Sequence, residues 1–83
     1  MDAHDTENAE VEITYERVPT SLNKGFTAHI DGTLFCHVCL DYNSGKWVAT
    51  TMHPHEFRNV FSPESKEGAV RLAWNQLYPD RPI

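Results

Sequence analysis

From Glu10 the chain alternates strictly, with Val11, Ile13 and Tyr15 on one side and Glu12, Thr14 and Glu16 on the other. A period of two is the signature of a strand with one wet face and one buried face. A strand cannot hold such a pattern alone, so the rest of the chain has to supply partner strands and a cover for the apolar side. With 83 residues in total, that means one small domain.

The first strand ends near Val18, because Pro19 lacks the N–H that a ladder needs. Thr20-Ser21-Leu22-Asn23-Lys24-Gly25 reads as a loop, and Phe26 to Ile30 opens a second strand. Asp31-Gly32 then turns the chain into a third strand, Leu34 to Asp41. A two-residue turn pairing Ile30 with Thr33 would place Phe26, Ala28 and Ile30 opposite the face that carries Leu34, Cys36, Val38 and Leu40. An odd-length loop with Gly32 in the left-handed region unites these sets on one face and is the expected geometry. A fourth strand, Lys46 to Met52, follows Tyr42-Asn43-Ser44-Gly45. Pairing Asp41 with Lys46 puts Trp47, Ala49 and Thr51 inside and Val48, Thr50 and Met52 outside.

Pro54 suits the first turn of a short helix in which Phe57, Val60 and Phe61 recur at helical spacing. The last element carries the strongest helical pattern. Ala69, Val70, Ala73, Trp74 and Leu77 form an apolar stripe, with Arg71 and Asn75 turned to water. Ser62 can cap this helix with Pro63 at its first position, Ser65 is the competing cap, and Pro79 ends it. Gly68 near its start implies either a late beginning or a close backbone approach. The expected fold is α+β: a four-stranded antiparallel β-meander, then a short helix and a C-terminal amphipathic helix packed on one sheet face.

Charge separates the leader from this body. Residues 1–16 hold six carboxylates and no Lys or Arg, so the net charge of −5 leaves the remainder at only +1. Met1 to Ala9, without aromatic or branched aliphatic residues, is expected to be a disordered acidic tail, and residues 10–83 the folded domain. A nearly neutral body with scattered basic residues gives no support to nucleic-acid binding. No apolar run approaches the roughly 20 residues needed to span a bilayer, and no signal-peptide pattern opens the chain, so a cytoplasmic protein without membrane contact is expected. Two cysteines without a secretion signal suggest reduced thiols.

Cys36-His37-Val38-Cys39 with His53-Pro54-His55 presents two thiols and two imidazoles in the order of a zinc finger. The context opposes it, because Cys36 and Cys39 point to opposite faces of a straight strand and His53 and His55 are one residue apart where finger helices use three to five. Zinc held by Cys36, Cys39, His53 and His55, or a nucleic-acid-handling domain built on them, is therefore the second reading. A small cysteine enzyme is the third, with Cys39 and His37 on one face and Asp41 the nearest acid. The thiol and imidazole then sit about 6–7 Å apart along the strand. His29 and His37, on one face of neighbouring strands under the odd-loop register, form a candidate pH-sensitive pair. Neither phosphate-binding glycine motif occurs among the four glycines.

The outer sheet face remains. Phe35, Cys39, Val48 and Met52, with His37 and Thr50 between them, would form a mostly apolar surface where a one-sided sheet usually carries charge. The expected function is a small non-enzymatic protein-binding module using these six residues, without cofactor and able to form a homodimer. Small domains without a catalytic motif often act, by analogy, as inhibitors or accessory proteins of phages and mobile elements.

Overall fold

A computed structural model describes residues 11–19 and 25–83 of the chain. The expected tail, Met1 to Ala9, and the loop 20–24 lie outside the described residues. Five strands, β1 (Ile13–Arg17), β2 (Phe26–Ile30), β3 (Thr33–Asp41), β4 (Lys46–Thr51) and β5 (Asn59–Ser62), precede one helix, α1 (Lys66–Leu77). The strands form one antiparallel sheet in sequence order, β1-β2-β3-β4-β5. The protein is α+β. No helix among the described residues is long and apolar enough to cross a membrane.

The β2–β3 connection corrects the odd-loop expectation. Ile30 stands opposite Thr33 across the two residues Asp31 and Gly32, which take positive φ values of 53° and 84°. Asp and Gly are the residues that tolerate such a turn, and its handedness suits twisted strands. The Asp31 carboxylate also accepts from the Glu12 N–H at 3.0 Å, while the Asp31 N–H donates to the Glu12 carbonyl at 2.8 Å, tying the turn to the start of β1.

The extra residue sits inside β3. The register runs His29 to Leu34 but Ala28 to Cys36, so β3 carries a bulge at Phe35. Beyond it, Ala28 with Cys36 and Phe26 with Val38 share one face. The two-residue turn, by setting His29 opposite Leu34, also exchanges two neighbours: Leu34, expected inside, is 36% exposed, and Phe35, expected outside, is 1% exposed. The Phe35 ring meets Trp74 edge-on at 5.2 Å, which places it on the helix side.

From β3 to β4 the expected register holds, from Asp41 with Lys46 to Cys36 with Thr51. The Asp41 carboxylate organises the connection by accepting from the Ser44 hydroxyl at 2.7 Å and the Asn43 N–H at 3.3 Å. Gly45 closes it with φ 75°.

The expected short helix after Pro54 is replaced by a loop and a fifth strand. A tight turn closes from the His55 N–H to the Met52 carbonyl at 2.9 Å, across a cis His53–Pro54 peptide. Val60 then faces inward opposite Ala49, with Phe61 outward opposite Val48. Spacing 57, 60, 61 suits a helical turn equally well, but β4 needed a partner for its open ladder, and Val and Phe are good strand residues.

Helix α1 starts after Ser65, whose hydroxyl accepts from the Gly68 N–H at 2.9 Å. Ser62, the other expected cap, is the last residue of β5, so Pro63 precedes the helix. A Cβ on Gly68 would lie 3.0 Å from the Ser62 Oγ and 3.2 Å from the Ser65 Oγ, a tight fit that a larger residue would meet only by displacing these hydroxyls. Ala69, Val70 and Ala73 are its buried residues, and they meet Ala28, Cys36, Val38, Ala49 and Val60 of the sheet in the core. Arg71 pairs with Glu67 one turn earlier. Asn75 exchanges hydrogen bonds with the Ile83 backbone and so holds the C-terminal residues against the helix.

Truncating Phe35 to Ala is expected to cost about 3–5 kcal/mol, the usual loss for a buried aromatic side chain. Leu34→Ala, one residue away on the outer side, should cost less than about 1 kcal/mol. Urea denaturation of both variants checks the difference.

Candidate functional site

The helix packs on β3, β4 and β5 from one side, and the strand pairings set what the other side displays. One row crosses the whole sheet through direct pairs: Glu16, Thr27, His37, Thr50 and Asn59. It is polar throughout. Thr50 donates to the Asn59 side chain at 2.8 Å, and Thr27 reaches the Glu16 carbonyl at 3.4 Å. Beside it runs an apolar row of Cys39, Val48 and Phe61. Cys39 and Val48 are half-buried, and Phe61 is 47% exposed.

Four of the six expected surface residues therefore share the outer face: His37, Cys39, Val48 and Thr50. Phe35 does not belong to it, because the register set by the Asp31-Gly32 turn points its ring into the core. Met52 is half-buried just past the end of β4, where its N–H donates to the Phe35 carbonyl at 3.1 Å. Two outer-face residues escaped the sequence reading. Phe61 falls within the expected short helix, although Val60 and Phe61 alternate inside and outside, and Leu34 is exposed because the connection before it is a two-residue turn in place of the expected odd loop.

The alternative constellations are not brought together. Cys36 is fully buried on the helix side, opposite Thr51, whereas Cys39 lies on the outer face, opposite Val48. His55 is turned instead into an aromatic cluster, its Nδ1 bonded to the Tyr78 hydroxyl and its ring edge-on to Phe35 at 4.9 Å. Among the described residues no group of three or more His, Cys, Asp or Glu is gathered to hold a metal ion. His29 stands opposite Leu34 and His37 opposite Thr27, so the two imidazoles lie on a diagonal, not side by side.

The electrostatics of the thiols run against nucleophilic chemistry. Burial pushes the Cys39 thiol up, and the Asp41 carboxylate adds to the shift. A reactive cysteine needs the opposite, an electropositive setting that stabilises the thiolate. Cys36 is pushed up by burial alone, to about 12. On the same side of the sheet Tyr15 is raised to about 12, first by burial and then by Glu67. Its hydroxyl oxygen is buried without a hydrogen-bond partner among the described residues, while the Lys66 ammonium rests 4.8 Å above its ring.

Compared with protein-family models, curated proteins and solved structures, the chain matches none. What it can do has to be argued from its surface.

The raised thiol and phenol give a pH dependence of fixed sign. The unfolded chain releases the Cys36 proton near 9.0, and the folded chain retains it to about 12. Between these values the unfolded state binds fewer protons, so stability falls as pH rises. Tyr15 acts in the same direction between 10.0 and about 12. Urea midpoints are expected to drop steadily from pH 9 to 11, and less steeply in Cys36→Ala; a midpoint independent of pH over that range would contradict the buried thiol.

Proposed function

We propose that this chain is a small non-enzymatic protein-binding module that engages its partner through the open sheet face. The observation that carries the proposal is the row of Cys39, Val48 and Phe61, side by side on neighbouring strands and away from the helix. Fully covering a Val or Phe side chain is worth about 1.5–3 kcal/mol. A partner seated on this row would gain from residues that otherwise hold water against apolar surface. A sheet packed on one side only ordinarily places charged residues there, and these three are not charged.

His37 and Thr50, adjoining that row, supply polar contacts that fix the orientation of a partner. An interface of this build has an apolar centre and a hydrogen-bonding rim. Neutral composition also distinguishes it from a nucleic-acid surface, which would need a basic groove. The raised Cys39 thiol supports a binding role for that residue over a catalytic one, since at neutral pH it is a small apolar group.

The test uses two charge insertions, Val48→Glu and Phe61→Glu. Both positions face away from the core, so circular dichroism should show an unchanged fold. Affinity purification from the source cell, with quantitative mass spectrometry against the unmodified chain, is expected to lose at least about 80% of a specifically co-purifying protein, the scale of one hot-spot loss. Sedimentation velocity run in parallel separates this from self-association. Unchanged partner recovery and unchanged oligomeric state in both variants would overturn the proposal.

A further inference from the structure

Two strands stand at the edges of the sheet, β1 and β5. An open edge is ordinarily blunted by charged side chains, yet Asn59-Val60-Phe61-Ser62, the whole of β5, holds none. β1 carries Glu16 and follows an acid-rich leader, residues 1–16 having six carboxylates and no Lys or Arg. The ladder with β4 fixes where the backbone groups of β5 point. The Thr51 N–H donates to the Arg58 carbonyl at 2.9 Å, and along the same ladder Ala49 stands opposite Val60 and Trp47 opposite Ser62. Hydrogen-bonded pairs alternate along an antiparallel ladder, so Arg58, Val60 and Ser62 bond to β4, while Asn59 and Phe61 turn their N–H and carbonyl groups to the open edge.

We infer that β5 pairs antiparallel with β5 of a second copy of this chain, about a two-fold axis at Phe61. Two registers join the outward groups with more than one strand residue overlapped, with the axis at Val60 or at Phe61. Charge decides between them. An axis at Val60 sets Glu56 of each copy opposite Glu64 of the other, whereas an axis at Phe61 sets Arg58 opposite Glu64, and does so twice because a two-fold interface repeats every contact. Glu64 is exposed, and the Arg58 side chain is 40% exposed. In this register the two Phe61 residues exchange N–H and carbonyl bonds, each Asn59 N–H meets a Pro63 carbonyl, and Pro63, without an N–H, ends the ladder. Self-pairing of β1 would instead bring two acidic leaders together. The Phe61 rings, 47% exposed, then stand side by side and join the Cys39–Val48–Phe61 rows of both copies into one. The inference concerns the strand edge and does not rest on the proposed binding of another protein by the outer face.

Sedimentation velocity of the full chain over a concentration series provides the test. The unmodified chain is expected to pass from monomer to dimer below about 1 mM, the weak end of specific association, with the Phe61 amide exchanging more slowly as dimer forms. Glu64→Arg and Arg58→Glu each replace both opposite-charge pairs by like-charge pairs and are expected to weaken the dimer about tenfold or more. Mixed in equal amounts, the two variants again present opposite charges at both contacts and are expected to form a heterodimer. Circular dichroism checks the fold, because Arg58 also bonds Glu56 and Gln76; if Arg58→Glu does not fold, Glu64→Arg and the Phe61 amide decide the case. A chain that stays monomeric to about 1 mM, a Glu64→Arg dimer as strong as the unmodified one, or a mixture of folded variants no more associated than its components would overturn the inference.

Discussion

The bulge at Phe35 is the constraint on which the rest of the structure depends. A tight Asp31-Gly32 turn sets Ile30 opposite Thr33, and in an unbroken ladder that register would send the apolar residues of β2 and of β3 to opposite faces. One additional residue in β3 restores the match. It places Cys36 and Val38 on the same side as Ala28 and Phe26, where the turn register has already put the Phe35 ring. The helix can then bury a single face. Which side chains of β3 stand on the opposite face, His37 and Cys39 among them, follows from this shift.

Much of the architecture was legible because several local signals agreed. Alternation over 11–16, the Asp41–Lys46 register and the α1 stripe ending before Pro79 each rest on a pattern with one good solution. Ser65 and Ser62 competed as caps, and the structure chose the serine whose hydroxyl reaches the Gly68 N–H. The features that escaped were those in which sequence spacing permits two solutions. Residues 57–61 satisfy a helical turn or a short strand, and the exposed ladder of β4 decides between them. A bulge and an odd-length loop likewise solve the same facial mismatch, and both use a left-handed Gly32. The difference is confined to Leu34 and Phe35, which is why one of the six expected surface residues proved to be core.

Chemistry and geometry point in the same direction on the outer face. The two cysteines that share a finger-like spacing are divided by the sheet itself, one on each side. Their thiols are held protonated, by burial in both and by Asp41 at Cys39. His55 serves as a tether between the β4–β5 loop and the end of α1. What is left unoccupied by internal packing on that face is an apolar row flanked by hydrogen-bonding side chains. The proposed binding surface is this row, on the side of the sheet away from the helix.

Phe35 lies under the helix, and the Cys39–Val48–Phe61 row lies on the other side of the sheet. Solution NMR measures this directly through proton–proton contacts and through line broadening by a soluble paramagnetic probe. Contacts from the Phe35 ring to Trp74 and His55 are expected, with protection of Phe35 from the probe and strong broadening of Phe61 with intermediate effects at Val48 and Cys39. Broadening of Phe35 as strong as that of Phe61, without contacts to Trp74, would contradict the β2–β3 register and the division of faces built on it.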